Sequence, residues 1–146
     1  MQRIVTQKID RHHYRADACI FWCFDDRFSP LLEAFVKMMG FTRIDPIEIA
    51  GGAKGIASPA SEWERGYLLD QIGKSIALHE VPLIVLMVHT DCGAYGKKFE
   101  DAKAEQAFYK SELEKAEAAV SQFLRARNLS ATIEKYFADF EGLIKL

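Results

Sequence analysis

Hydrophobic positions along the chain come in short continuous runs and in helical stripes, one kind following the other. Residues 16 to 23, ADACIFWC, are a short apolar run rich in aromatics, polar only at Asp17, as expected of a strand buried on both faces. Leu31, Leu32, Phe35, Val36 and Met39 then recur at helical spacing. Ser29 is placed to act as N-cap, Pro30 as first helical residue and Gly40 as the stop, so a helix over about 30–39 is expected. Residues 41 to 50, FTRIDPIEIA, alternate enough for a second strand, with Pro46 pointing to an edge or a bulge. The glycines of Gly51-Gly52-Ala53-Lys54-Gly55 suggest a flexible loop with exposed backbone. Ser61 and Glu64 have capping-box spacing ahead of Leu69, Ile72 and Ile76, which predicts a helix to about His79. After Pro82, LIVLMV is the most strand-like run in the chain and ends at His89-Thr90-Asp91-Cys92-Gly93.

Tyr109, Leu113, Ala116, Val120 and Leu124 mark one face of a long helix over about 101–127, roughly 40 Å if unbroken, closed near Asn128. Thr132 to Phe140 reads as a last strand, and Leu143 to Leu146 as a short hairpin return. Strands alternating with helices predict a mainly parallel β-sheet flanked by helices, an α/β fold. No repeat, low-complexity tract or linker interrupts the 146 residues, so one domain spanning 1–146 is expected.

Composition narrows the partners. The net charge is -2 with both signs dispersed, which leaves no basic footprint for nucleic acid and points to a small ligand. Charges at the N-terminus stand where a signal peptide needs an apolar region, and the longest apolar stretch, Val81 to His89, is too short to span a bilayer. A soluble, cytoplasmic protein is expected. Three cysteines are too few, and odd in number, for a disulfide framework, which leaves metal binding, catalysis or burial.

Two of those cysteines sit where strands end. Cys23 closes the first strand and is followed by Phe24, Asp25, Asp26 and Arg27; His89 closes the third, with Cys92 in the following turn. Strand C-termini of an open parallel sheet share one edge. If the two strands are neighbours, Cys23, His89 and Cys92 bring two thiolates and an imidazole together, a ligand set for zinc (Zn2+) with a fourth position open. Asp25 and Arg27, two residues apart in an extended turn, can point the same way and form a bidentate ion pair beside the metal. Held by Arg27, Asp25 would be ionised and aimed at a zinc-bound water; released, it could close the metal itself. Two thiolates offset the zinc charge, so activity rising towards alkaline pH is expected. Either motif alone reads equally well as a strand end followed by a salt-bridged turn; their joint occurrence after two buried-type strands favours the metal site.

Other residues read as structural. Cys19 lies inside the strand, and roughly 13 Å of extended backbone to Cys23 makes a redox pair unsuitable. His12, His13 and His79 read as surface or capping histidines. Asp26 and Asp91 are expected to face solvent or turn backbone. Lys54 remains a candidate for meeting an anion.

With Cys23-x-Asp25-x-Arg27 and His89-x-x-Cys92-Gly93 in place, the sequence resembles the β-class carbonic anhydrases, whose signature is CxDxR after the first strand and HxxCG after a later one. The resemblance runs in order through the SxxE-opened helix, the LIVLMV strand, the long helix after HTDCGAYG and the terminal YFADFEGLIKL. It implies that Cys23, His89 and Cys92 bind zinc, that Asp25 and Arg27 form the catalytic dyad, and that Gly93 lies on the substrate side. The implied reaction is reversible hydration of carbon dioxide to bicarbonate, in a homodimer or higher homo-oligomer. The chain departs from the family pattern in its short segment before the first strand, in Glu48-Ile49-Ala50-Gly51 where an arginine-asparagine-alanine-glycine stretch is common, and in a longer spacer between Cys23 and His89. These departures suggest a compact branch with a rebuilt substrate pocket. Phe24, Phe28 or Tyr95 are candidates for its walls.

Two further functions use the same residues. One is hydrolysis of a related electrophile, carbon disulfide or carbonyl sulfide. The other is a zinc-binding or sensing domain without turnover, which requires the Asp25–Arg27 pair to be absent.

Overall fold

The structure is a computed structural model that describes residues 2–146. Its strands are β1 (Ala18–Trp22), β2 (Ile44–Glu48), β3 (Leu83–His89), β4 (Thr132–Ala138) and β5 (Leu143–Lys145), in the sheet order β2-β1-β3-β4-β5. The first four are parallel, and β5 returns antiparallel to β4. The helices are α1 (Ser29–Met38), α2 (Lys54–Ala57), α3 (Glu62–His79) and α4 (Ala102–Ala126). This is the expected mainly parallel sheet flanked by helices.

The continuous apolar runs have a simple cause: both faces of β1 and β3 are covered. On one face Cys19, Phe21, Ile84, Leu86 and Val88 pack with Leu68 and Ile72 of α3 and with Leu113, Ala116 and Val120 of α4. On the other, Ala18, Ile20, Trp22, Val85 and Met87 pack with Phe28 and with Leu32 and Phe35 of α1. The alternation is the two-residue period of a strand, read on two buried surfaces. Each large apolar side chain so buried contributes roughly 1.5–3 kcal/mol. The predicted α4 stripe is the buried one: Tyr109, Leu113, Ala116, Val120 and Leu124 all face inward. Pro46 is accommodated because β2 is an edge strand. No helix of the described residues is long and apolar enough to cross a membrane.

Local details differ from the sequence expectation at three places. Ser29 is not a cap. A 3-10 turn, Asp26–Phe28, leads directly into α1, and Phe28 occupies the N-cap position without a side-chain bond. The capping carboxylate lies further upstream, where Asp25 accepts from the Arg27 N–H at 3.2 Å. At α3, Ser61 Oγ accepts from the Glu64 N–H at 3.3 Å, but the Glu64 carboxylate accepts from the Ala60 N–H at 2.6 Å, so the reciprocal half of the box falls one residue early.

The third difference is the glycine loop, which is buried rather than exposed and flexible. Gly51 and Gly52 both have positive φ, and the chain turns immediately into α2. The Ala53 N–H donates to the Met87 carbonyl at 3.0 Å. A Cβ on Gly52 would lie 2.4 Å from that same carbonyl oxygen and 3.3 Å from Cys23 N. Here glycine is required twice, for its left-handed φ of +58° and for the close approach of two backbones.

Gly52→Ala should therefore destabilise the fold by at least about 2 kcal/mol, seen as a lower midpoint in urea denaturation. Gly142→Ala, where a Cβ meets open space, should change stability by less than about 0.5 kcal/mol. Equal midpoints for the two variants would contradict the close approach.

Candidate metal centre

β1 and β3 are adjacent and parallel, with Cys19 opposite Ile84, Ile20 opposite Val85 and Phe21 opposite Leu86. The chain leaves β1 for β2 on one side and returns to β3 on the other, so the order reverses between these two strands. Their carboxyl ends thus form the crevice of a topological switch point. Cys23 directly follows β1, His89 is the last residue of β3, and Cys92 lies in the turn after it. Their ligand atoms all lie within 4.8 Å of one another, which makes them a group able to hold a metal ion.

All three residues are buried, and each is held from behind. His89 Nδ1 donates to the Thr90 carbonyl at 2.7 Å. Because a carbonyl can only accept, the lone pair is on Nε2. Nε2 is itself buried and has no hydrogen-bond partner, a costly state for a buried acceptor unless something binds there. Phe28 packs against the imidazole with ring centroids 4.4 Å apart. The Gly51 N–H donates to Cys23 Sγ at 3.3 Å. The facing Cys92 thiol and that N–H bring the Cys23 thiol well below its ordinary range, against the effect of burial. Cys92 is pushed in the opposite direction, first by the Cys23 sulfur and then by burial, as expected where a second negative charge would meet the first in a site shielded from water. An orphaned imidazole nitrogen and two cysteine sulfurs are soft and borderline donors that fit zinc.

Asp25 and Arg27 stand at the rim. Arg27 Nε donates to Asp25 Oδ1 at 2.9 Å and to Oδ2 at 3.1 Å, while Nη2 donates to Oδ2 at 2.6 Å. These bonds hold the Asp25 carboxyl at about 2, below its ordinary 3.8. Asp25 Oδ2 lies 4.0 Å from His89 Nε2, so the ionised carboxylate borders the space that the three donors share.

Asp91 is exposed, as expected of a residue facing solvent or turn backbone, and it also binds Arg27: its Oδ2 accepts from Nη1 at 3.0 Å and its carbonyl from Nη2 at 3.2 Å. Its backbone lies in the left-handed region, at φ +50°. Glu105, in the first turn of α4, accepts from Thr90 Oγ1 at 2.5 Å and from the Asp91 N–H at 2.8 Å. Asp91 carried a signal in the sequence, an acid between two donors. Glu105 carried none.

The other candidates fall elsewhere. Gly93 is exposed, with open space where a Cβ would stand, and its carbonyl accepts from the Gly96 N–H at 3.1 Å. Phe24 is exposed, and Tyr95 packs edge-on against Phe108 and Tyr109. Lys54 Nζ donates to the Ser58 carbonyl at 3.3 Å and lies over the Tyr95 ring. Cys19 is fully buried and its thiol is pushed up to about 12 by desolvation, in keeping with a structural role. His12 and His13 are exposed, and His79 Nδ1 lies 2.9 Å from Asp45.

No protein-family model matches the sequence, and comparison with curated proteins gives no match. Solved structures do match. The β-carbonic anhydrase isoform I of the protozoan Trichomonas vaginalis aligns with a TM-score of 0.52 at 15% identity, over 97% of this chain and 87% of that one. A carbonic anhydrase from Glaciozyma antarctica has a TM-score of 0.49 at 18% identity, over 91% of this chain and 83% of its own. The apo form of a carbon disulfide hydrolase has 0.46 at 13%, over 90% and 80%. The first of these carries the fold assignment: the chain has a β-carbonic-anhydrase-like fold.

The Asp25–Arg27 pair has a measurable signature. In carboxyl-detected NMR, Asp25 should titrate near 2, and in Arg27→Ala near its ordinary 3.8. Because the folded value is the depressed one, the pair's contribution to stability is present above the ordinary value and is lost as pH falls towards 2. An Asp25 midpoint that Arg27→Ala leaves in place would contradict the pairing.

Proposed function

We propose that the chain is a zinc enzyme that hydrates carbon dioxide reversibly to bicarbonate. One observation carries this reading: Cys23, His89 and Cys92 converge at the switch point with an unpartnered Nε2, while the neighbouring Asp25 is engaged by Arg27. Cys23, His89 and Cys92 would hold the zinc. Bound there, zinc would supply Lewis acidity that generates a nucleophile from water, increasingly towards alkaline pH because two thiolates offset its charge.

The residues around it have separable tasks. Asp25, ionised throughout the neutral range, can only accept; its Oδ2, which borders the space shared by the three donors, would take a hydrogen bond from a water there and orient it towards the electrophile. Arg27 donates to both carboxylate oxygens and keeps Asp25 in this pose rather than among the metal donors. Phe28, packed on His89, fixes the ring plane and keeps bulk water from its face. The engaged Arg27 weighs against a non-catalytic zinc-binding or sensing domain, which needs Asp25 free. Carbon disulfide or carbonyl sulfide would meet the same groups, and the assay below separates them from carbon dioxide. A cytoplasmic setting keeps Cys23 and Cys92 reduced. Ile4, Val5 and Ile9, largely exposed on the segment before β1, support assembly as a homodimer or higher homo-oligomer.

Stopped-flow hydration by zinc-loaded protein should exceed the buffer rate for carbon dioxide, with Asp25→Asn lowering kcat by about 10². A wild-type rate at background would sink the reading; turnover of carbon disulfide alone would replace the substrate. Equal rates for wild type and Asp25→Asn would remove the role given to Asp25.

A further inference from the structure

The geometry points to Asp91 and Glu105 as positioning residues that act through Arg27, a two-step brace from α4 to the Asp25 carboxylate. The inference rests on the proposed role of Asp25 and Arg27 beside the metal donors and extends it to two acids with no assigned part.

Arg27 is half exposed, and a bond to Asp25 alone would leave its guanidinium free to swing on a long side chain, carrying the carboxylate with it. The second half of the fork prevents this. Nε and Nη2 serve Asp25, while Nη1 and Nη2 serve Asp91. A planar guanidinium engaged along two edges has less rotational freedom than one engaged along a single edge. Asp91 offers both oxygens from a backbone at φ +50°, a region that costs a non-glycine residue free energy unless its surroundings hold it there. Glu105 supplies that hold. One of its carboxylate oxygens takes the Asp91 N–H and the other the Thr90 hydroxyl, and Asp101 caps the same helix by accepting from the Ala104 N–H at 2.7 Å. The Thr90 N–H is tied in turn to the Ala138 carbonyl at 2.8 Å. The turn between the donors His89 and Cys92 is thus pinned to β4 and α4, and the pinning is transmitted to Arg27.

The test reads Arg27 directly. In 15N-labelled protein as purified, the Arg27 Nε–H resonance is assigned by its loss in Arg27→Lys, and its exchange with water is measured. Asp91→Gly, which tolerates the left-handed backbone and removes the side-chain acceptor, and Glu105→Ala should each speed that exchange by about tenfold or more, the loss of a bond to a charged group. Glu105→Gln should stay within about twofold of wild type, because its amide oxygen still accepts from the Asp91 N–H and the Thr90 hydroxyl can turn to accept. Backbone amide spectra report whether each variant is folded; if Glu105→Ala is not, Asp91→Gly and Glu105→Gln decide. Unchanged exchange in Asp91→Gly overturns the inference. So does a Glu105→Gln as fast as Asp91→Gly. Failure of carbon dioxide hydration in the wild type would sink the proposed function and leave this measurement standing, so the two are distinguishable.

Discussion

Parallel pairing of β1 with β3 is the constraint on which the site depends. Neither strand end is a metal site alone: Cys23 brings one sulfur, and His89 with Cys92 brings a nitrogen and a second sulfur. Because side chains alternate along a strand, a one-residue slip in the pairing of Phe21 with Leu86 would turn one half of the group to the opposite face of the sheet. Register is protected by burial, since both strands carry apolar side chains to two packed faces. Gly52 reinforces it from below, wedging the loop after β2 between the Met87 carbonyl and Cys23 N, the last turns of backbone before the donors. The hydrophobic packing that makes the fold thus also sets the spacing of the polar atoms.

Charge organises the rim as packing organises the floor. Two aspartates and one arginine leave a net negative charge beside two cysteines, an arrangement that resists closing without a cation. The Asp25–Arg27 bond is half exposed, so its worth lies in geometry more than in stability. It directs a carboxylate whose Oδ2 stands 4.0 Å from the unpartnered His89 Nε2. The aromatic rings complete the shell: Phe28 lies between His89 and Phe140, and Arg27 lies over both phenylalanines.

Much of this was legible in the residues. The runs ending at Cys23 and His89, the α4 stripe and the hairpin return were all readable because burial on known faces has a period. Pro46 marked the edge correctly because a missing N–H has one tolerable place in a sheet. Convergence of the two motifs followed from topology once β1 and β3 were taken as neighbours. What escaped was set by tertiary contacts with no period. Glycines in Gly51 to Gly55 signal permissive backbone equally in an open loop and under a crowded one, and only the approach of Met87 tells them apart. Glu105 looked like any acid in the first turn of a helix. Asp91 looked like a turn residue because its partner lies on another strand end.

The separation of the two half-sites along the chain has a kinetic side. Contacts between β1 and β3 close a long loop containing three helices and a strand, the kind of distant pairing that forms late and slowly. Until it forms, Cys19, Cys23 and Cys92 are all accessible on an unfolded chain, and any two could be joined by an oxidant. Afterwards Cys19 is sealed in the core and the other two face each other. The newborn chain therefore passes through an interval in which the sulfurs of the site are more exposed to oxidation than they are in the finished fold.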